Sequence, residues 1–315
     1  MKSVLIPMAF SASMLAGHAT AADTPVVVTS IKPLHSLVAS VMQGVGTPEL
    51  IVDGSASPHT YAMKPSNARA LQNAKVVFWM GPGLETFLTK PLSDLGPETI
   101  VAELDEAPNL VKLKYRAGGP FEADSDEDHD SHGSEDQDHA HDQFDTHLWL
   151  DPMNAKAMVA EITTALSAAD PRNALAYQNN AAALSDRIDT LDQQIKTTVA
   201  PVANKPFIVF HDAYQYFEHR YGVKVAGSIT VSPETLPGAE RLSQIHTKIT
   251  SLGATCVFAE PQFQSRLIDT ALEGTDAKAG VLDPEGTSLP AGPDLYFTLM
   301  QNIAQNLKSC LSQEG

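Results

Sequence analysis

The sequence predicts an α/β protein of two lobes, each a parallel sheet with helices on its faces, joined by one long rigid helix. Three observations carry this. Short β-branched runs alternate with helically spaced segments in both halves of the chain, the pattern of parallel strands connected by helices. The alternation is interrupted by a single long helical stretch between about residues 170 and 200, and then restarts. The chain's 315 residues are also roughly two domains' worth, and 43% of them are hydrophobic, enough to fill two cores.

Residues 1–22 read as an export signal. Lys2 gives a weakly basic start, Val4 to Ala16 is mostly apolar, and Ala19-Thr20-Ala21 supplies small residues for cleavage. The apolar run is too short to span a bilayer, and Pro7 interrupts it. No cysteine stands near the cleavage region to carry a lipid, so a soluble exported protein is expected.

The N-terminal lobe, residues 23–168, begins with a strand at 25–30 and a helix from Ile31 onward, whose Leu34, Leu37, Val38 and Val41 share one face. A strand at 49–52, a helix at 66–72 and a strand at 74–80 follow. Gly81-Pro82-Gly83 turns the chain into a helix at 84–89, and 99–101 is a further strand. Residues 116–145 break the pattern: after Gly-Gly-Pro they run through Asp, Glu, Ser and His, which predicts an inserted mobile loop. Order returns at 146–151, and a helix is expected over 154–168. The linking helix, 170–200, has Pro171 in its first turn and Asp170 as its cap. Its apolar stripe is Leu175, Leu184, Ile188, Leu191, Ile195 and Val199, and at 1.5 Å per residue it is about 40 Å long. The C-terminal lobe, 201–315, repeats the alternation, with strands at 205–210, 224–226, 256–259 and 279–282 and helices at 213–221, 242–252, 266–273 and 294–311. Ligands of such folds sit at the carboxyl ends of the strands.

The formal charge is −17, with 38 acidic side chains against 21 basic ones. Much of the excess is local, since residues 122–145 hold eleven acidic residues and neither Lys nor Arg. That balance excludes a phosphate-backbone binder and suits a protein that meets cations. The two cysteines are Cys256 and Cys310. In an oxidising compartment such a pair is bonded more often than free, which would stabilise the fold by on the order of 4 kcal/mol.

The histidines fall into classes. His129, His132, His139 and His141 lie among the carboxylates of the acidic loop, a mixture that collects divalent transition metals without fixing a geometry. His59 follows Ser55-Ala56-Ser57-Pro58 just after the strand ending at Val52, His147 opens the run Leu148-Trp149-Leu150, and His211 ends the strand Phe207-Ile208-Val209-Phe210. All three are therefore expected at strand ends on one side of the fold. One such histidine is most often a structural hydrogen-bonder. Three placed alike, with a metal-attracting loop, point to a metal centre. Asp283, after the strand at 279–282, is the candidate fourth ligand of a tetrahedral zinc site, with water as the alternative. Asp151 and Glu260 are candidate acceptors for imidazole N–H groups.

With these pieces in place, the chain resembles the zinc-receptor (solute-binding) proteins of bacterial ABC-type zinc importers. The matching motifs are Ser30-Ile31-Lys32-Pro33-Leu34-His35, Ser57-Pro58-His59-Thr60-Tyr61 with Lys64-Pro65-Ser66, His147-x-Trp149-x-Asp151-Pro152, Phe210-His211-Asp212-Ala213-Tyr214 and Leu282-Asp283-Pro284. The resemblance covers the mature chain in order. It implies zinc in the interlobe cleft, His59, His147 and His211 as ligands, and a Cys256–Cys310 bridge. It further implies capture of Zn2+ in the periplasm and delivery to a membrane permease. A periplasmic zinc chaperone is a further candidate partner, no nucleic acid is involved, and the receptor is a monomer. Some zinc receptors carry Glu immediately before the first ligand histidine; here that residue is Pro58. Related manganese receptors carry a carboxylate where His211 stands, so His211 points to zinc.

Other readings are a manganese or iron receptor, an exported zinc hydrolase and a metal-dependent adhesin. Against hydrolysis, the chain has no His-Glu-x-x-His helix to place a general base beside the metal. No P-loop occurs either, so the chain is expected to have no ATP site of its own, and a receptor without enzymatic activity is the expectation.

Overall fold

The computed structural model describes residues 24–116, 121, 144–230, 238–252, 256–263 and 266–312. The predicted export signal and the greater part of the predicted acidic loop, with His129, His132, His139 and His141, lie outside the described residues.

The first lobe alternates as expected: β1 (Val27–Thr29), α1 (Lys32–Val41), β2 (Glu49–Leu50), α2 (Pro65–Asn73), β3 (Val76–Trp79), α3 (Thr86–Ser93) and β4 (Ile100–Glu103). Every strand pair is parallel, in the order β2-β1-β3-β4. All four residues of β3 are buried, as an apolar strand covered on both faces must be. Two helices follow, α4 (Pro152–Ala169) and α5 (Ala174–Val199). The second lobe then runs β5 (Pro206–His211), α6 (Gln215–Tyr221), β6 (Lys224–Thr230), α7 (Ala239–Leu252), β7 (Cys256–Ala259), α8 (Arg266–Leu272), β8 (Lys278–Val281) and α9 (Leu295–Leu311). Its parallel order, β6-β5-β7-β8, repeats the topology of the first sheet. In both lobes the strand order reverses beside the first strand, and side chains leaving the carboxyl ends there can converge on a ligand.

Helix α5 spans 26 residues, about 39 Å. It packs on α1 and α4 of one lobe and on α6 and α9 of the other. Tyr177, Leu184, Ile188, Leu191, Ile195 and Val199 face inward. Three expectations need correction. Pro171 opens a 3-10 turn, Pro171–Asn173, so the α-helix starts at Ala174. Asp170 accepts from Asn173 Nδ2 at 2.6 Å and from the Tyr177 hydroxyl at 3.2 Å instead of capping helix N–H groups. Leu175 precedes the point where the helix meets the core and is 70% exposed.

One continuous core runs through both lobes, from Val77 and Phe78 through Trp149 to Phe207, Phe258 and Tyr296. A smaller core lies beneath α7 and α8, formed by Ile208, Phe210, Ile245, Ile249, Val257 and Ile268. β5 divides its residues between the two with the period of a strand, Phe207 and Val209 to one and Ile208 and Phe210 to the other. Cys256, at the start of β7, is bonded to Cys310 in the last turn of α9, with 6.3 Å between their Cα atoms. No helix among the described residues is long and apolar enough to cross a membrane.

Candidate metal centre

His211 is the last residue of β5, and the pleat turns its imidazole away from the Phe210 side into the space between the sheets. His147 leads a 3-10 turn, Leu148–Leu150, held by Leu150 N–H to His147 O at 3.1 Å and Asp151 N–H to Leu148 O at 3.2 Å. His59 lies within a second 3-10 turn, Pro58–Thr60, between β2 and α2. The strand-end expectation therefore holds for His211, whereas the other two are carried by connecting turns. The reason at His147 is the buried run Leu148-Trp149-Leu150, which docks all three residues in the core without joining a ladder.

The three imidazoles converge. One ligand atom of each lies within 4.8 Å of the others, and among the described residues this is the group able to hold a metal ion. The ring centroids are 5.1 Å apart for His147 and His211, 5.4 Å for His59 and His147, and 5.8 Å for His59 and His211. His147 and His211 are each 4% exposed, and His59 is half-buried.

Two carboxylates orient the pair. His147 Nδ1 meets Asp145 Oδ1 at 2.7 Å, and the same oxygen accepts the His147 backbone N–H at 3.0 Å. His211 Nδ1 meets Glu260 Oε1 at 2.6 Å. The β5–β7 register pairs Val209 with Phe258, so two residues further on Glu260 stands beside His211. An ionised carboxylate can only accept, so with both carboxylates charged each Nδ1 carries a proton, and a neutral ring then presents a bare lone pair at Nε2. These two Nε2 atoms face each other at 3.2 Å. Two lone pairs repel at that distance, and a proton or a metal ion between them relieves the repulsion. Zinc–imidazole bonds of 2.0–2.1 Å in a tetrahedral shell put neighbouring nitrogens about 3.3 Å apart. The spacing fits a shared metal ion.

Electrostatics favour neutral rings at His59 and His147. Burial, and then the other two imidazoles, push the pKa of His59 well below 6.5; burial followed by His211 does the same to His147. Both are neutral ligands at physiological pH. Burial also works to lower His211, but the ion pair and hydrogen bond with Glu260 outweigh it and the net shift is upward. Burial pushes Asp145 up to about 7 against its bonds to His147, and raises Glu260 against its bonds to His211. A cation among the imidazoles would stabilise both carboxylates in their charged form.

Asp283 lies outside the group. Its Oδ1 accepts from Glu285 N–H at 3.1 Å and Gly286 N–H at 2.9 Å, and its Oδ2 accepts from Thr287 Oγ1 at 2.9 Å. These bonds hold its carboxylate in the turn after β8. Asp151, expected as an imidazole acceptor, instead caps α4 through Met153 N–H at 2.8 Å, and Glu260 takes the expected place beside His211. Asp145 escaped the sequence reading. Its one signal is the Asp-x-His spacing, which lets a carboxylate reach back to the N–H and ring of the residue two further on.

Three imidazoles drawn from both lobes and seated at the carboxyl ends of two parallel sheets define a metal-binding receptor of the two-lobed solute-binding class. The chain matches the model of the family described as "Zinc-uptake complex component A periplasmic" over residues 27–310, and it belongs to that family. It is 51% identical to the high-affinity zinc uptake system protein ZnuA of Brucella suis over 336 aligned positions, covering 99% of this chain and 98% of the relative. The ZnuA of Yersinia pestis is 36% identical, with 96% of each chain covered. Among solved structures, the periplasmic zinc-binding protein TroA of Treponema pallidum superposes with a TM-score of 0.77 at 19% identity, covering 92% of this chain and all of that one. This last likeness is one of fold.

Proposed function

We propose that this protein captures Zn2+ in the periplasm and hands it to the membrane permease of an ABC importer, with His59, His147 and His211 as the protein ligands. One observation carries the reading: two imidazole Nε2 atoms face each other at 3.2 Å while each Nδ1 is held by a buried carboxylate. Capture needs neutral imidazoles, and burial keeps His59 and His147 neutral. Zinc draws electron density from the rings, and Asp145 and Glu260 stabilise the charge that this leaves on each N–H. Because the carboxylate of Asp283 is taken up in its turn, we assign the fourth position to water. Three nitrogen donors suit zinc better than manganese, which favours oxygen.

The receptor role involves no bond-breaking step, so the protein is not an enzyme. Residues 1–22 serve as the export signal, the protein acts as a monomer, and His129, His132, His139 and His141 collect zinc weakly outside the tight site; a periplasmic zinc chaperone is a further candidate partner. The test is competition of a chromophoric chelator against the metal-free protein. A single tight Zn2+ per chain, weakened by orders of magnitude in His147→Ala and little changed in His35→Ala, is expected. Equal losses in the two variants would refute the ligand assignment.

A further inference from the structure

Asp145 is 0% exposed and carries the orientation of His147, yet it comes from the segment preceding α4, while the donors to its Oδ2 and to its backbone carbonyl come from the other lobe. Its Oδ1 is taken by the His147 ring and backbone N–H groups. Its Oδ2 accepts from Gln215 Nε2 at 3.1 Å, and its backbone carbonyl accepts from the Tyr216 hydroxyl at 2.7 Å. Gln215 and Tyr216 open α6, four and five residues after His211. The Tyr216 oxygen also accepts Leu113 N–H at 3.1 Å, while Asp145 N–H donates to Leu113 O at 2.8 Å. One hydroxyl thus ties together the segments on either side of residues 117–143.

We infer that Gln215 is a positioning residue for zinc binding: its amide, held on the second lobe, fixes the Asp145 carboxylate so that His147 keeps its proton on Nδ1 and its lone pair on Nε2, facing His211. The inference rests on His147 being a ligand. A buried carboxylate oxygen without its donor is costly, and the cheapest relief is rotation of the carboxylate toward another donor. That rotation frees His147 to place its proton on Nε2, where it blocks the metal. Tyr216 fixes the backbone of Asp145, and Gln215 fixes the carboxylate; the two act on different atoms. The same contacts attach His147 to the lobe that carries His211.

The experiment uses the metal-free full chain at pH 8, with Zn2+ competition titrations on wild type, Gln215→Met, Asp145→Asn, the double variant and His147→Ala. Gln215→Met keeps the length of the side chain and removes the donor; Gln215→Leu serves if the first variant fails to fold. Partners that orient a ligand from behind are typically worth 10–100-fold in metal affinity, so Gln215→Met is expected to weaken zinc binding about ten-fold. The double variant should bind no more weakly than Asp145→Asn alone, because the amide acts through that carboxylate. The 15N shifts of the His147 ring should report Nδ1–H in wild type and a mixture of tautomers in Gln215→Met. Wild-type affinity in Gln215→Met, losses that add in the double variant, or an unmoved tautomer signal would overturn the inference. Tight binding that survives His147→Ala would instead overturn the site assignment on which it rests.

Discussion

Replacing Glu260 by Gln removes one charge from behind a ligand and leaves the volume unchanged. Glu260 is 3% exposed and holds His211 Nδ1 at 2.6 Å, so the perturbation falls on a buried, charge-assisted bond. Outer partners of this kind are worth about 10–100-fold in metal affinity, or about 1.4–2.7 kcal/mol. The pH dependence sharpens the test. Burial lowers the His211 pKa, but Glu260 outweighs it and sets the folded value above 6.5. A proton on His211 competes with zinc, so wild-type affinity falls as pH drops through that raised value. Without the carboxylate the His211 pKa falls, and the competition moves to lower pH. Zinc titrations at pH 8 should therefore show the full loss in Glu260→Gln. At pH 6 the gap between variant and wild type should narrow, because protons penalise the wild type more. An unchanged affinity at pH 8, or a gap that stays constant with pH, would refute the reasoning.

Other consequences are checked separately. Cys256 opens β7 and Glu260 directly follows its end, so Cys256→Ser with Cys310→Ser should cost about 2–4 kcal/mol in denaturant unfolding and leave zinc affinity nearly unchanged. Asp283→Ala should lower stability by about 1–2 kcal/mol through loss of its turn bonds, with less than a ten-fold effect on zinc; a loss of orders of magnitude would make Asp283 the fourth ligand. Deleting residues 122–142 should lower total zinc stoichiometry in calorimetry and preserve one tight site, since the deletion removes none of His59, His147 and His211.

The parallel strands were legible because a strand buried on both faces must be an apolar, β-branched run, as Val76–Trp79 is. β6 reads as three residues but extends to Thr230, because Gly227 and Ser228 break the hydrophobic run while their backbone still pairs with β5. α3 continues to Ser93 through Pro91, whose missing N–H costs one hydrogen bond near the helix end. His147 and His211 stood out because each is a titratable residue at the edge of an apolar run, and His59 because it follows soon after the strand ending at Val52. Asp145 was hidden for the opposite reason. It is the last of eleven acidic residues within 122–145, and composition cannot distinguish a buried carboxylate from its solvated neighbours. The positions of Asp283 and Asp151 were both legible, but their roles depend on which backbone N–H groups lie within reach. Such contacts are set by turn geometry and leave no periodic trace.

The central claim is a zinc ion held by three imidazoles, and zinc K-edge X-ray absorption at one equivalent of Zn2+ tests it most directly. The account predicts three imidazole nitrogens and one oxygen at about 2.0–2.1 Å, with the imidazole scattering reduced by one ring in His211→Ala. A shell dominated by oxygen, or a spectrum unchanged by His211→Ala, would contradict it.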